Sequence, residues 1–399
     1  MNICGIVAEY NPFHAGHRYH IEKTREQLGT DTAVVCAMSG SFVQRGEAAA
    51  FSKNARAEAA VKCGADLVLE LPLPWALSSA EGFARGAVGL LAATGVVTHL
   101  SFGSESGDLT ELQKAEEILR KPEIHDLFAA ELAGGHSFAV ARQAAAEKLA
   151  RRRMEVFSSP NNILAIEYLK AIHSYDLPLT PVTVVRAGAG HDSVEENAMP
   201  SASYLREKLA AGESIDGFLP EAAAEVLGRE TEAGRGPVTP AVLETAMLSR
   251  LRMLPKEAFA NLPDAGEGLH NRLYRAVRSE SSMAGILEAA KTKRYAMSRL
   301  RRMLCCAALG VTVQDSRGIP PYLRVLAANE RGLAILREMQ EKATVPVITK
   351  PAEIRALDVQ AQHIFELESA ATDLFVLGFS AAEERTADRD WRLSPVIVR

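Results

Sequence analysis

The chain has 399 residues, 47% of them hydrophobic and 24% charged, with a formal net charge of −5. That length buries a large core and suits two domains, and the composition is ordinary for a soluble globular protein. The negative balance argues against bulk electrostatic binding of nucleic acid: no DNA partner is expected, and any RNA surface has to be a local patch.

In chain order, Ile3 to Ala8 reads as an apolar strand that gives way to Glu9 and Asn11 with no basic leader, unlike a signal peptide. A short polar turn then delivers a helix start carrying His14-Ala15-Gly16-His17. A helix N-terminus at the carboxyl edge of a sheet favours anions through its free N–H groups. Two imidazoles three residues apart on the first turn lie near one another, placed to donate to phosphate oxygens as negative charge develops. Gly16 removes a side chain and lets a base or phosphate approach the backbone.

Asp31 to Met38 reads as a second strand, buried on both faces, running into the polar loop Ser39 to Gly46 (SGSFVQRG). Asn54 to Cys63 is a helix, Ala65 to Leu71 a third strand, Ser79 to Ala93 a helix and Thr98 to Phe102 a fourth strand ending at Gly103. This alternation predicts βαβ units and a mostly parallel sheet. Glu70 sits in an apolar strand and needs a partner, for which Arg56 on the preceding helix is the candidate. Residues 106–158 read as a helical insertion, after which Ser159-Pro160-Asn161-Asn162 caps a helix and Leu179 to Arg186 forms a further strand. A Gly188-to-Asp192 loop follows, then Ser201-Ala-Ser203-x-x-Arg206 opens a helix with two hydroxyls and a guanidinium suited to phosphate.

The boundary between domains is placed in the charged stretch 230–236, giving an α/β unit over 1–230 and a mainly helical unit over 237–399. In the second, Val345 to Ile348 is expected to pair with a strand near the end of the chain. The same unit carries a basic stripe: Lys291, Lys293, Arg294, Arg299, Arg301 and Arg302, then Tyr322 and Arg324, alternating with an apolar face and suiting a phosphate backbone. Apolar runs such as 87–97 are too short to span a bilayer, so no membrane partner is expected and the reading is a cytoplasmic protein. Cys4, Cys36 and Cys63 lie in core-like runs, Cys305 and Cys306 are adjacent, and no C-x-x-C occurs; neither a disulfide framework nor a metal-ligand set is assigned.

H-x-G-H after a first strand resembles the nucleotidyltransferase superfamily. The longer string G-I-V-A-E-Y-N-P-F-H-x-G-H is similar to the bacterial tRNA(Met) cytidine acetate ligases, as are Gln44 to Glu47, Gly64 to Pro72, R-x-x-R-M-L and Y-L-R-V-L. The resemblance implies a Rossmann-like core with a tRNA-binding helical domain. It implies acetyl-adenylate formation from ATP and acetate, then transfer to the exocyclic amine of the wobble cytidine in the anticodon loop of elongator tRNA(Met). Mg²⁺ is expected with ATP. By the same resemblance, His14, His17, Ser203 and Arg206 are catalytic. The ATP site takes in Val7, Ala8, Glu9, Tyr10, Asn11, Pro12, Phe13, His14, Ala15, Gly16, His17, Arg18, Tyr19 and His20, with Gly103, Asn162 and Arg186; Asn161 is the helix cap. Three rivals stand beside it. They are a small-molecule nucleotidyltransferase acting on a phosphate-bearing acceptor, an aminoacyl-tRNA synthetase (for which no K-M-S-K-S signature is present) and a non-catalytic RNA-binding protein.

Overall fold

The computed structural model describes residues 2–186, 200–266 and 268–399. The loop expected at Gly188 to Asp192 lies outside them. Strands β1 (Ile3–Ala8), β2 (Ala33–Ser39), β3 (Phe42–Val43), β4 (Glu47–Ala48), β5 (Leu67–Leu71), β6 (His99–Ser104), β7 (Thr180–Val185), β8 (Leu323–Ala328), β9 (Val347–Ile348) and β10 (Val396–Ile397) appear in chain order. The main sheet runs β10-β8-β5-β2-β1-β6-β7, with β9 beside β8; β3 and β4 form a separate hairpin. β1 pairs in parallel with both β2 and β6, so the direction of winding reverses beside it. In an open α/β sheet that reversal opens a crevice at the carboxyl ends of the strands, where ligands bind.

Every residue of β2 and β5 is buried, as expected of strands covered by helices on both faces. The helix Ala80–Ala93 supplies one cover through Phe83, Ala87, Val88, Leu90 and Leu91, all buried. Residues 106–158 hold the helices Leu109–Arg120, Glu123–Ala133 and Phe138–Ala150 and a short 3-10 turn at Glu155–Ser158.

The expectation that the chain leaves the sheet after residue 237 needs revision. β8 returns to it, pairing antiparallel with β5 and burying all six of its residues, and β9 and β10 flank it in parallel. The partner of Val347–Ile348 is therefore β8, and β10 pairs further along the same edge of that strand, at Ala327 and Ala328, opposite β5.

Glu70 is held differently from the expected Arg56 pair. Lys53 Nζ lies 2.7 Å from Glu70 and 2.6 Å from Asp390, and Arg324 Nη1 lies 3.0 Å and 3.1 Å from the same two carboxylates. Burial, with Glu70 nearby, pushes the neighbouring Glu368 up to about 8. Tyr322 Oη donates to Glu368 at 3.0 Å, which brings it into the same cluster. The cluster ties β5 to β8 and the C-terminal helices, so Tyr322 and Arg324 are buried core residues, not RNA-facing ones.

Candidate active site

Arg56 is fully buried, and its guanidinium donates to the main-chain oxygens of Glu9, Ser39, Gly40 and Phe51. One side chain thus gathers the carboxyl ends of β1 and β2 and the loop beyond them. Burial pulls its pKa down to about 10, still well above physiological pH.

The turn after β1 is tightly folded. Tyr10 has φ of 46° and its hydroxyl lies 3.3 Å from Cys36 Sγ; Asn11-Pro12 is cis; Asn11 Oδ1 accepts the Ala50 N–H at 2.8 Å; Phe13 is buried beneath. His14 is the N-cap of the helix Ala15–Leu28. Its Nδ1 accepts the Gly16 N–H at 3.0 Å, and His17 Nδ1 accepts the His14 N–H at 3.2 Å, a reciprocal capping box built from two imidazoles. The ring centroids are 3.8 Å apart. A neutral imidazole whose Nδ1 accepts carries its proton on Nε2, so both rings act as uncharged Nε2–H donors. A β-carbon on Gly16 would sit 2.9 Å from His14 Cε1, and that contact explains the glycine.

Burial, reinforced by Arg186 and Arg206, pulls His14 down to about 3; burial and Arg186 pull His20 down to about 4. His17 lies well below the usual histidine range, from burial first and then His14, Arg186 and His20. Desolvation with cations at hand marks a site prepared for an anion, since negative charge would lift all three rings.

His17 and His20 border a cavity of about 480 Å³ that also takes in Val7, Ala8, Glu9, Gly103, Asn161 and Arg186, whereas His14 lies behind His17 and does not line it. That volume suits a nucleotide-sized ligand. Gly103 faces Arg186, whose Cγ a β-carbon would meet at 3.3 Å. The second signature meets the first directly: Arg206 Nη1 donates to Asn11 O at 3.1 Å, and its Nε lies 3.0 Å from Glu47. Ser203 Oγ accepts from Arg45 at 2.9 Å and from Arg206 at 3.4 Å. Arg45, Ser203 and Arg206 line a trough of about 280 Å³, and Arg45 borders the cavity as well.

Some expected residues stand elsewhere. Asn162 Oδ1 accepts the Glu105 and Ser106 N–H groups, while Asn161 lines the cavity and its Oδ1 accepts from Arg186 at 2.9 Å. The N-cap of that helix is Ser159. Arg18 is exposed and ion-paired to Glu22, and neither it nor Tyr19 borders the cavity, because the helix turns them about 100° per residue away from His17. Ala15 occupies the first helical position. Sequence reasoning missed Glu47, Phe83 and Tyr168, although Glu47 stood in the quoted Q-R-G-E string.

Along the basic stripe, Lys291, Lys293, Arg294 and Arg301 are exposed. Lys293 and Arg294 border a cavity of about 440 Å³ with Arg272 and Arg275, which sequence reasoning did not single out. Lys291 donates to Tyr295 O, and Arg299 donates to Asp264 O at 2.7 Å. Arg302 departs from expectation: it is buried and pairs with Asp264 at 3.7 Å, so it is unavailable to a phosphate chain. Among the described residues no helix is long and apolar enough to cross a membrane.

The family model described as HIGH Nucleotidyl Transferase matches residues 1–390. The tRNA(Met) cytidine acetate ligase of Syntrophomonas wolfei is 38% identical over 99% of both chains, and that of Acetivibrio thermocellus is 35% identical over the whole of both. Crystal structures of Thermotoga maritima TmcAL, one apo and one bound with alpha-thio ATP, superpose with TM-scores of 0.95 and 0.92 at 34% identity over the full length of each chain. Matched by the family model over residues 1–390 and by relatives 35–38% identical over almost the whole of both chains, this protein belongs to the tRNA(Met) cytidine acetate ligase family of HIGH nucleotidyl transferases.

Proposed function

We propose that the protein activates acetate with ATP as acetyl-adenylate, releasing pyrophosphate, and transfers the acetyl group to the exocyclic amine of the wobble cytidine of elongator tRNA(Met). The observation that carries the chemistry is the bond from Arg206 to Asn11 O, which brings both phosphate motifs to one cavity mouth. The relatives' shared name supports the choice of acid and RNA.

His14 and His17 donate Nε2–H to phosphoryl oxygens, where preorganised donors act most strongly on developing charge. Being neutral, they bind no counter-anion that ATP would have to displace. Arg206, positioned through Ser203, holds the departing pyrophosphate. Val7, Ala8, residues 10–17, His20, Gly103, Asn161 and Arg186 surround the nucleotide, Glu9 stands apart from them as an anion, and Asn162 shapes the loop that carries Glu105. Mg²⁺ enters with the triphosphate, whose oxygens are its natural ligands.

Residues 1–230 supply this chemistry with the insertion at 106–158, and residues 237–399 carry the RNA surface while sharing the sheet. Lys293, Arg294 and Arg301, with Arg272 and Arg275, meet the anticodon stem and loop, whose unstacked bases leave the amine accessible. The reaction takes place in the cytoplasm, where tRNA and ATP meet.

The test is acetate-dependent ATP–pyrophosphate exchange, with a His14→Ala/His17→Ala variant beside the wild type. Exchange that needs acetate and disappears in the variant supports the proposal. No exchange with acetate or larger acids refutes it and turns attention to phosphate-bearing acceptors.

A further inference from the structure

Glu9 stands at the end of β1, where a carboxylate opposes the phosphates that the surrounding arginines attract. Such a placement costs binding energy unless the carboxylate serves another step. We propose that Glu9 takes the proton from the attacking amine during acyl transfer, an inference that rests on the activity proposed above. The amine nitrogen attacks the carbonyl carbon of acetyl-adenylate and a C–N bond forms. The bond from that carbon to the phosphate oxygen breaks, AMP leaves with the electron pair, and the N–H proton passes to Glu9 Oε2.

Three observations carry the assignment. Glu9 is the one carboxylate among the described residues that border the cavity. Its Oε1 is fixed by the Gln44 N–H at 2.9 Å, and among the described residues no donor reaches Oε2, which is left to a ligand. The other candidate bases are poorly suited. His17 and His20 are held below the usual range by burial, the His17 Nδ1 lone pair is already engaged, and the buried Tyr168 phenol is pushed up by burial and by Glu9 itself.

The groups facing Glu9 set its proton affinity. Burial raises it, and Glu47 on β4 adds to that; Arg206 on the helix Ala202–Ala210, Arg45 on the loop and the Gln44 N–H pull it down, and the net direction is upward. Arg56 donates to the Glu9 main-chain oxygen. A base raised toward the working pH is the most effective kind.

The experiment compares full-length wild type, Glu9→Gln and Glu9→Asp in two assays. One is acetate-dependent pyrophosphate exchange, which involves no amine; the other is single-turnover acetylation of an elongator methionine tRNA transcript across pH 5.5 to 8.5. Glu9→Gln is expected to slow transfer by about 10²–10³, the usual range for losing a general base. The acidic limb of the wild-type profile should disappear, exchange should fall by less than about tenfold, and Glu9→Asp should restore part of the transfer. The proposal fails if transfer stays within about threefold of wild type or if the acidic limb persists in Glu9→Gln. It also fails if exchange falls in parallel with transfer, which would assign Glu9 to ATP. Absence of acetate-dependent exchange in the wild type would overturn the underlying activity instead, so the two failures are separable. If Glu9→Gln does not fold, the Glu9→Asp profile decides: an unchanged rate and an unchanged acidic limb refute the role.

Discussion

Acidification should destabilise this protein through the histidines of its own active site. His14 and His20 are held neutral in the folded chain, down to about 3 and about 4, by burial and by nearby arginine. In the unfolded chain each titrates near the ordinary value of about 6.5. The unfolded state therefore binds more protons below that value, and stability falls as pH drops through about 6.5 toward the folded pKa values. At about pH 5 the gap is about 1.5 pH units per ring, or about 2 kcal/mol each and about 4 kcal/mol together relative to about pH 7.5. The assay is urea unfolding at those two pH values for wild type and for a His14→Asn/His20→Gln variant. Asn keeps an acceptor where Nδ1 caps the helix, and Gln keeps a polar atom where Nε2 meets Ser101. Other titrating groups are common to both proteins, so the wild type should lose about 4 kcal/mol more than the variant. Equal losses, or a smaller loss in the wild type, would refute the reasoning.

Further predictions follow from the same contacts. Gly16→Ala improves helix propensity by up to about 1 kcal/mol. Its β-carbon nevertheless displaces the His14 ring, so apparent ATP affinity should fall at least about tenfold while the melting temperature changes by only a few degrees. Lys53→Met strands Glu70 and Asp390 beside a single cation and should cost about 3–5 kcal/mol in chemical denaturation, with β5 and β8 losing amide-exchange protection together. Arg302→Gln should lower stability through its lost pair with Asp264 and leave the salt dependence of tRNA binding unchanged. Lys293→Gln/Arg294→Gln should instead reduce that slope, by about 0.7–0.9 per phosphate contact removed.

The sequence by itself determined the catalytic half of the fold and the two phosphate motifs. These depend on local order: an apolar strand, a polar turn and a helix start occupy consecutive residues, so Ile3 to His17 could be read without knowing what packs against them. The alternation of strands and helices through Phe102 was legible for the same reason. Only the tertiary structure decided what depends on contacts between distant residues. Arg302 and Arg324 have the same side chain as the exposed Arg301, and a charge run alone does not tell a solvated guanidinium from one neutralised by carboxylates elsewhere in the chain, Asp264 for the first and Glu70 and Asp390 for the second. Leu323–Ala328 carries no alternation because both of its faces are covered, and what makes it a strand is β5 beside it, which comes from far earlier in the chain. Asn161 and Asn162 are adjacent on one helix turn, and the partner each one meets, Arg186 or the Glu105 backbone, comes from strands elsewhere in the fold. Glu70 likewise finds Lys53, Arg324 and Asp390 rather than Arg56, because a buried charge is satisfied by whichever opposite charges the packing brings within reach.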